Sequence, residues 1–91
     1  MDAKRSKYLE KVIKGASNHW RLKILDELDK KPELSVGDIT EKVKGDYRTI
    51  SDHIRKLAQS GLVMKRYEGN SVRHALTNRG KSILKFCKIL E

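Results

Sequence analysis

Apolar residues keep a helical spacing through the first sixty positions of the chain and an alternating one just after. Tyr8, Leu9, Val12 and Ile13 fall on one stripe among lysines and arginines, which predicts a helix over 3–15 with Gly15 as its stop or kink. Trp20, Ile24, Leu25 and Leu28 predict a second helix, capped by Ser17 or Asn18. Lys30, Lys31 and Pro32 end it, because the residue before a proline is pushed out of the helical region. Ser35-Val36-Gly37-Asp38 is a capping-box pattern, and Val36, Ile39 and Val43 give the short helix behind it an apolar face. Lys44-Gly45-Asp46 is the next break, with glycine expected to supply the positive φ of a tight turn. Asp46 caps a longer helix over about 46–60, with Ile50, Ile54, Leu57 and Ala58 inward, and Gly61 ends it.

Leu62–Tyr67 and Val72–Thr77 are then extended runs around Glu68-Gly69-Asn70-Ser71, the pattern of a β-hairpin over about 62–77. Thr77 caps a last helix over 78–90 that carries Ile83, Leu84, Phe86, Cys87 and Leu90. With no repeat, low-complexity tract or linker, residues 1–91 are expected to form one domain. Its predicted class is mainly α with a small β-hairpin, in the order helix, helix, helix, helix, hairpin, helix.

Charge adds a partner class. The 91 residues hold 21 Lys and Arg against 12 Asp and Glu, a formal +9, which on so small a chain suggests a polyanion. The excess is +4 over residues 1–31, −2 over 32–46, +2 over 47–60 and +5 over 61–91, so the second half is the basic half. No apolar run approaches the ~18 residues of a membrane span, and the charged N-terminus has no secretory apolar region. A cytoplasmic location without membrane contact is therefore expected. One cysteine can form neither an internal disulfide nor a cysteine-rich zinc site. No nucleophile–base pair or phosphate-cradling glycine loop is present, so an enzyme is not expected, nor is a cofactor.

A short capped helix, a turn and a longer helix that starts with polar residues form the helix-turn-helix layout, and the basic hairpin makes it winged. Residues 17–80 resemble winged helix-turn-helix transcriptional regulators of the ArsR type, and more loosely the MarR type. The resemblance rests on Trp20-Arg21-Leu22-Lys23-Ile24-Leu25, Ser35-Val36-Gly37-Asp38-Ile39, Tyr47-Arg48-Thr49-Ile50-Ser51-Asp52-His53-Ile54, Leu57 with Gly61-Leu62-Val63, and Leu76-Thr77-Asn78-Arg79-Gly80. Such regulators often sense metals through a cysteine pair near the recognition helix or His and carboxylate ligands on the terminal helix. Residues 35–60 contain no cysteine, and 78–91 no histidine or aspartate, so no metal effector is expected.

The resemblance makes 46–60 the recognition helix and 62–77 the wing, with double-stranded DNA as partner. Tyr47, Arg48, Ser51 and Arg55 lie off the core stripe, where Arg48 could reach guanine and Tyr47 and Ser51 bases or phosphate. Thr49 either touches phosphate or helps to cap. Asp52 either accepts from a cytosine amine or pairs with Lys56 one turn on. His53 either donates to phosphate or packs between helices, while His19 and His74 are expected to be structural. Lys65, Arg66, Arg73 and the Gly69-Asn70 tip form the candidate wing contact, against the alternative that the basic residues protect an edge strand.

Tyr8, Leu9, Val12 and Ile13 at one end and Ile83, Phe86, Cys87 and Leu90 at the other exceed what a core of this size needs. Either they pack on that core or the terminal helices form a homodimer seam; the seam is the reading adopted, because a two-fold dimer presents two recognition helices one DNA turn apart. Cys87 is expected to pack there, with a redox-sensitive thiol as the alternative. A sequence-specific DNA-binding transcriptional regulator is the function predicted. Its rivals are a winged-helix protein–protein module and a non-specific architectural DNA-binding protein.

Overall fold

The computed structural model describes residues 1–91. Five helices and one hairpin follow in the expected order: α1 (Ala3–Ala16), α2 (His19–Lys30), α3 (Val36–Val43), α4 (Tyr47–Gln59), β1 (Val63–Glu68), β2 (Ser71–Leu76) and α5 (Asn78–Leu90). Side-chain caps start every helix. Asp2 accepts from Arg5 N–H, Asn18 from Trp20 and Arg21, Asp46 from Thr49 and Thr77 from Gly80, while Ser35 and Asp38 complete a reciprocal capping box.

The core lies where α2, α3 and α4 meet over the base of the hairpin. Ile24, Leu25 and Leu28 of α2, Ile39 and Val43 of α3, and Ile50, Ile54 and Leu57 of α4 are its buried helical faces. Leu34, Leu62, Val63, Leu76 and Leu84 close it from the sheet and α5. His74 is the one buried polar side chain, and its Nδ1–H donates to the Leu34 carbonyl at 2.8 Å. Leu34 also bridges β2 through backbone bonds, so a single residue stands as a third strand on that edge.

Several local expectations are corrected. Helix α1 runs through Gly15 to Ala16 rather than stopping there; a Cβ at Gly15 would collide with the Ser60 side chain, so the glycine permits a close α1–α4 approach. In the turn between α3 and α4 the positive φ belongs to Lys44, at 57°, not to Gly45. Lys44 N–H and Gly45 N–H return to the Glu41 and Thr40 carbonyls, the paired bonds of a left-handed helix end. Gly45 is needed for space, since a Cβ there would sit 2.7 Å from the Ile50 side chain and 3.3 Å from the Trp20 ring. The hairpin is also tighter than expected: Glu68 pairs with Ser71, leaving a two-residue loop with φ 59° at Gly69. A type II′ turn needs glycine at that first position.

Helix α5 starts against the turn that leaves α4. A Cβ at Gly80 would collide with the Leu62 carbonyl oxygen, a backbone atom with no freedom to retreat. Gly80→Ala is expected to lower unfolding stability by about 1–3 kcal/mol, the usual cost of overpacking, measured by denaturant titration. A wild-type midpoint would show that α5 shifts freely at its first turn.

Candidate nucleic-acid interface

Asp46 fixes the start of α4 twice over: its carboxylate accepts from Thr49 N–H at 3.0 Å and from the Thr49 hydroxyl at 3.1 Å. Thr49 thus has the capping role foreseen as its alternative, and its contact holds the Asp46 carboxyl below its ordinary range. Tyr47, Arg48 and Thr49 are exposed on this first turn, and Ser51 and Asp52 are half-buried on the second. Beside them opens a groove of about 600 Å³ between α4, Val36 of α3 and the hairpin. Arg48, Ser51 and Arg55 line its helical wall, and Lys65 and His74 its sheet wall.

Asp52 pairs within the helix, as one alternative had it, and with two partners. Its carboxylate takes the Arg55 guanidinium on one oxygen and Lys56 Nζ at 3.4 Å on the other. Arg55 holds its carboxyl below the ordinary range. The three side chains form one tethered cluster, which leaves Arg48 as the cation of α4 with no carboxylate within 4.0 Å.

For His53 the packing alternative has the visible partner. Arg21 Nε donates to His53 Nδ1 at 3.1 Å, while Arg21 Nη1 donates to the Gly15 carbonyl at 3.1 Å. One arginine of α2 therefore ties the end of α1 to the middle of α4. His53 is less available to phosphate than the pattern Ser51-x-His53 suggested, since one ring nitrogen is committed. Nothing in local spacing marks Arg21, thirty-two positions away, as its partner.

The hairpin divides its cations between two faces. In the register Lys65↔His74 and Arg66↔Arg73, Lys65 and Tyr67 share the groove side with His74 and Val72, and Arg66 and Arg73 share the other. Two arginines directly opposite each other repel. Glu33 and Glu68 resolve the conflict: Arg66 Nη2 meets the Glu33 carboxylate at 2.9 Å, its Nη1 meets the Glu68 carboxylate at 2.7 Å, and Arg73 Nη1 donates to the Glu33 backbone carbonyl at 3.4 Å. Arg66 and Arg73 thus lie on the opposite face of the hairpin from Lys65, although the sequence grouped all three on the wing. Period-two alternation from Lys65 would have singled out Tyr67, which is 72% exposed on the groove side. Gly69 and Asn70 form the exposed tip.

Of the terminal residues, Val12 is absorbed by the core at 7% exposure, and Ile83 packs partly against it. Tyr8, Leu9, Ile13, Phe86 and Leu90 stay exposed, joined by Ile89, which the helical stripe did not include. Ile13, Leu22, Ile83, Phe86 and half-buried Cys87 surround an apolar crevice of about 160 Å³. The structure contains no group of three metal-ligating side chains, and no helix is long and apolar enough to cross a membrane.

These elements define a winged helix-turn-helix protein. A helix-turn-helix domain family matches residues 17–66, over half of the chain, so the chain belongs to that family, in its winged, ArsR-like form. It is similar to HlyU from Vibrio cholerae N16961, with 29% identity over 98% of this chain and 97% of that one, and a TM-score of 0.85. The transcriptional regulator HlyU from Vibrio vulnificus CMCP6 is 31% identical over 96% and 91% of the two chains, with a TM-score of 0.79. Mb0332 from Mycobacterium bovis, a homodimeric winged helix-turn-helix DNA-binding domain of a possible ArsR-family transcriptional regulator, shares the fold. It has a TM-score of 0.84 at 21% identity, over 99% of this chain and 86% of that one. No curated protein sequence matches the chain.

Burial lowers the affinity of both His53 and His74 for protons from the ordinary 6.5, and the Arg21 charge adds to the effect at His53. The unfolded chain therefore binds more protons just below that value, so stability falls as pH drops through 6.5 and levels off once the folded rings protonate. Thermal unfolding followed from about pH 8 to about pH 5 is expected to show a midpoint falling over this window. A midpoint that rises on acidification would mean that the rings gain, rather than lose, protons on folding.

Proposed function

We infer that the protein is a transcriptional regulator that binds double-stranded DNA sequence-specifically, as a homodimer. The observation that carries this reading is the groove between α4 and the hairpin, where Arg48 and Lys65 face each other's wall and neither has a carboxylate partner. A major groove ~12 Å wide admits one helix, and the first residues of that helix then meet base edges. Arg48 reads a base, Tyr47 and Ser51 contact bases or phosphate, and Thr49 orders the first turn. On the wing, Lys65 and Tyr67 take the phosphate and minor-groove contacts with the Gly69-Asn70 tip, while Arg66 and Arg73 hold the sheet together through Glu33. Asp52 keeps Arg55 and Lys56 in place as secondary phosphate contacts, and His53 positions α4 through Arg21.

In a binding titration log affinity should fall with log salt, at about −0.9 per phosphate contact. Arg48→Ala should cost about 1–3 kcal/mol on a selected duplex and relax preference at one base pair. A shallow salt slope would reject duplex binding. Equal affinity for random and selected duplexes would leave a non-specific architectural protein.

The dimer rests on the exposed apolar residues of α1 and α5, where Ile13 and Phe86 flank one crevice with Leu22 and Ile83. Mb0332, which shares the fold, is homodimeric. Sedimentation at micromolar concentration is expected to give a dimer for the wild type and a monomer for Phe86→Glu. A monomeric wild type would remove the seam without touching the DNA reading.

A further inference from the structure

The +4 of residues 1–31 has a structured part that the interface above does not use. Lys4, Lys7, Lys11 and Lys14 recur at steps of three, four and three, which on a helix confines them to a stripe roughly 80° wide. All four are exposed. Only Lys14 has a carboxylate within 4.0 Å, Glu10 at 3.5 Å. Like charges at this spacing repel and weaken a helix, so the row is a cost to the folded chain with little internal return.

Its position is set by contacts already described. Gly15 lies one turn beyond Lys11 on nearly the same line and faces Ser60, at the end of α4. Arg21 joins the last turn of α1 to His53. The row therefore runs along the outer rim of the α1–α4 cleft, on the same side as Lys56. Lys65 and the hairpin stand on the opposite flank of α4, across the groove. The exposed apolar residues Leu9 and Ile13 occupy the far side of α1.

We propose that this lysine row binds the phosphate backbone of duplex DNA beside α4, as the counterpart of the wing on the other flank. The proposal rests on the DNA-binding reading above. A helix seated in a major groove has a phosphate strand on each side, and the wing accounts for only one of them. A straight row of ammonium groups, three of the four without a carboxylate partner, suits a backbone, which offers charge without sequence, and releases counterions on binding.

The test compares two double variants of the full chain by duplex-binding titrations over a range of salt, on a selected and a random duplex. Lys7→Gln with Lys11→Gln removes two members of the row. Lys81→Gln with Lys85→Gln removes the same charge from α5, where neither lysine has a carboxylate partner. Unchanged thermal unfolding confirms that both variants are folded. The first is expected to reduce the salt slope by about 0.9 per lysine for each protomer bound, with equal loss on both duplexes; the second should keep the wild-type slope. An unchanged slope in the first variant overturns the proposal and leaves DNA binding intact. Equal reduction in both overturns it too, by making the effect one of net charge. If the wild type shows no salt-dependent duplex binding, the DNA reading fails and the row fails with it.

Discussion

The angle between α4 and the hairpin depends on the few backbone groups around Leu62. Gly61 N–H and Leu62 N–H turn back to the Ala58 and Leu57 carbonyls at 3.0 Å each, which ends α4. The Gly61 carbonyl accepts the Thr77 hydroxyl at 2.6 Å, and the Leu62 carbonyl accepts Thr77 N–H at 3.1 Å. Thr77 in turn accepts from Gly80 N–H at 3.0 Å, which begins α5. The same atoms thus end one helix, open β1, close β2 and start another helix. These groups lie against the core beneath fully buried Leu62, where an unpaired donor or acceptor is costly, so the hairpin cannot swing from α4 without losing several bonds together. Lys65, three residues on, inherits a fixed place over the groove. Arg79 closes the junction from outside, donating to the Ser60 carbonyl at 3.2 Å and lying 5.2 Å from the Tyr8 ring, so α1 is referenced to the same point.

Around that frame the charges fall into two populations. Arg55, Lys56 and Arg66 are paired to Asp52, Glu33 or Glu68, and Lys88 to Asp26 and Asp29. Exposed pairs of this kind contribute little to stability, but they decide which cations remain free for another molecule. Glu33 is the clearest case. It stands just after Pro32 with φ 67°, a conformation unfavourable to a side-chain-bearing residue, and from there its carboxylate and carbonyl hold both arginines of the hairpin's outer face. A formal +9 is therefore a poor guide to binding surface. Arg66 and Arg73, held by Glu33, brace the sheet, and the unpartnered Arg48 and Lys65 face the groove.

Element order, caps and core were legible in the sequence because each is written in a local code. Ser35 with Asp38, Asn18, Asp46 and Thr77 all cap where spacing places them. Ile24, Leu25, Ile39, Ile50, Ile54 and Leu57 are all buried on the expected faces. What local code could not supply were contacts across the chain. The reason for Gly45 lies in Ile50 and Trp20, that for Gly15 in Ser60, and that for Gly80 in Leu62. The same limit applies to the candidate site. Residue type grouped Arg66 and Arg73 with Lys65, but strand alternation turns them to the other face, where Glu33 was waiting thirty-three positions upstream. His53 was ambiguous for a similar reason, since only the fold brings Arg21 to it.

Helix α1 shows how much one short element can carry when its faces are kept distinct. Val12 and Ala16 enter the core, Leu9 and Ile13 continue the apolar strip shared with α5, and the lysines occupy the remaining side. Fourteen residues suffice because a 3.6-residue period gives three separate stripes within four turns. The anchors hold this division in register. Gly15 against Ser60 and Arg21 against the Gly15 carbonyl prevent rotation of α1 about its axis, which would carry lysines toward the apolar strip. A helix that joined the seam and the groove without such anchors would trade one surface for the other with every small rotation. Pinning α1 to α4 makes the orientation of the strip and of α4 one quantity, so a partner seated on the strip also sets where α4 points.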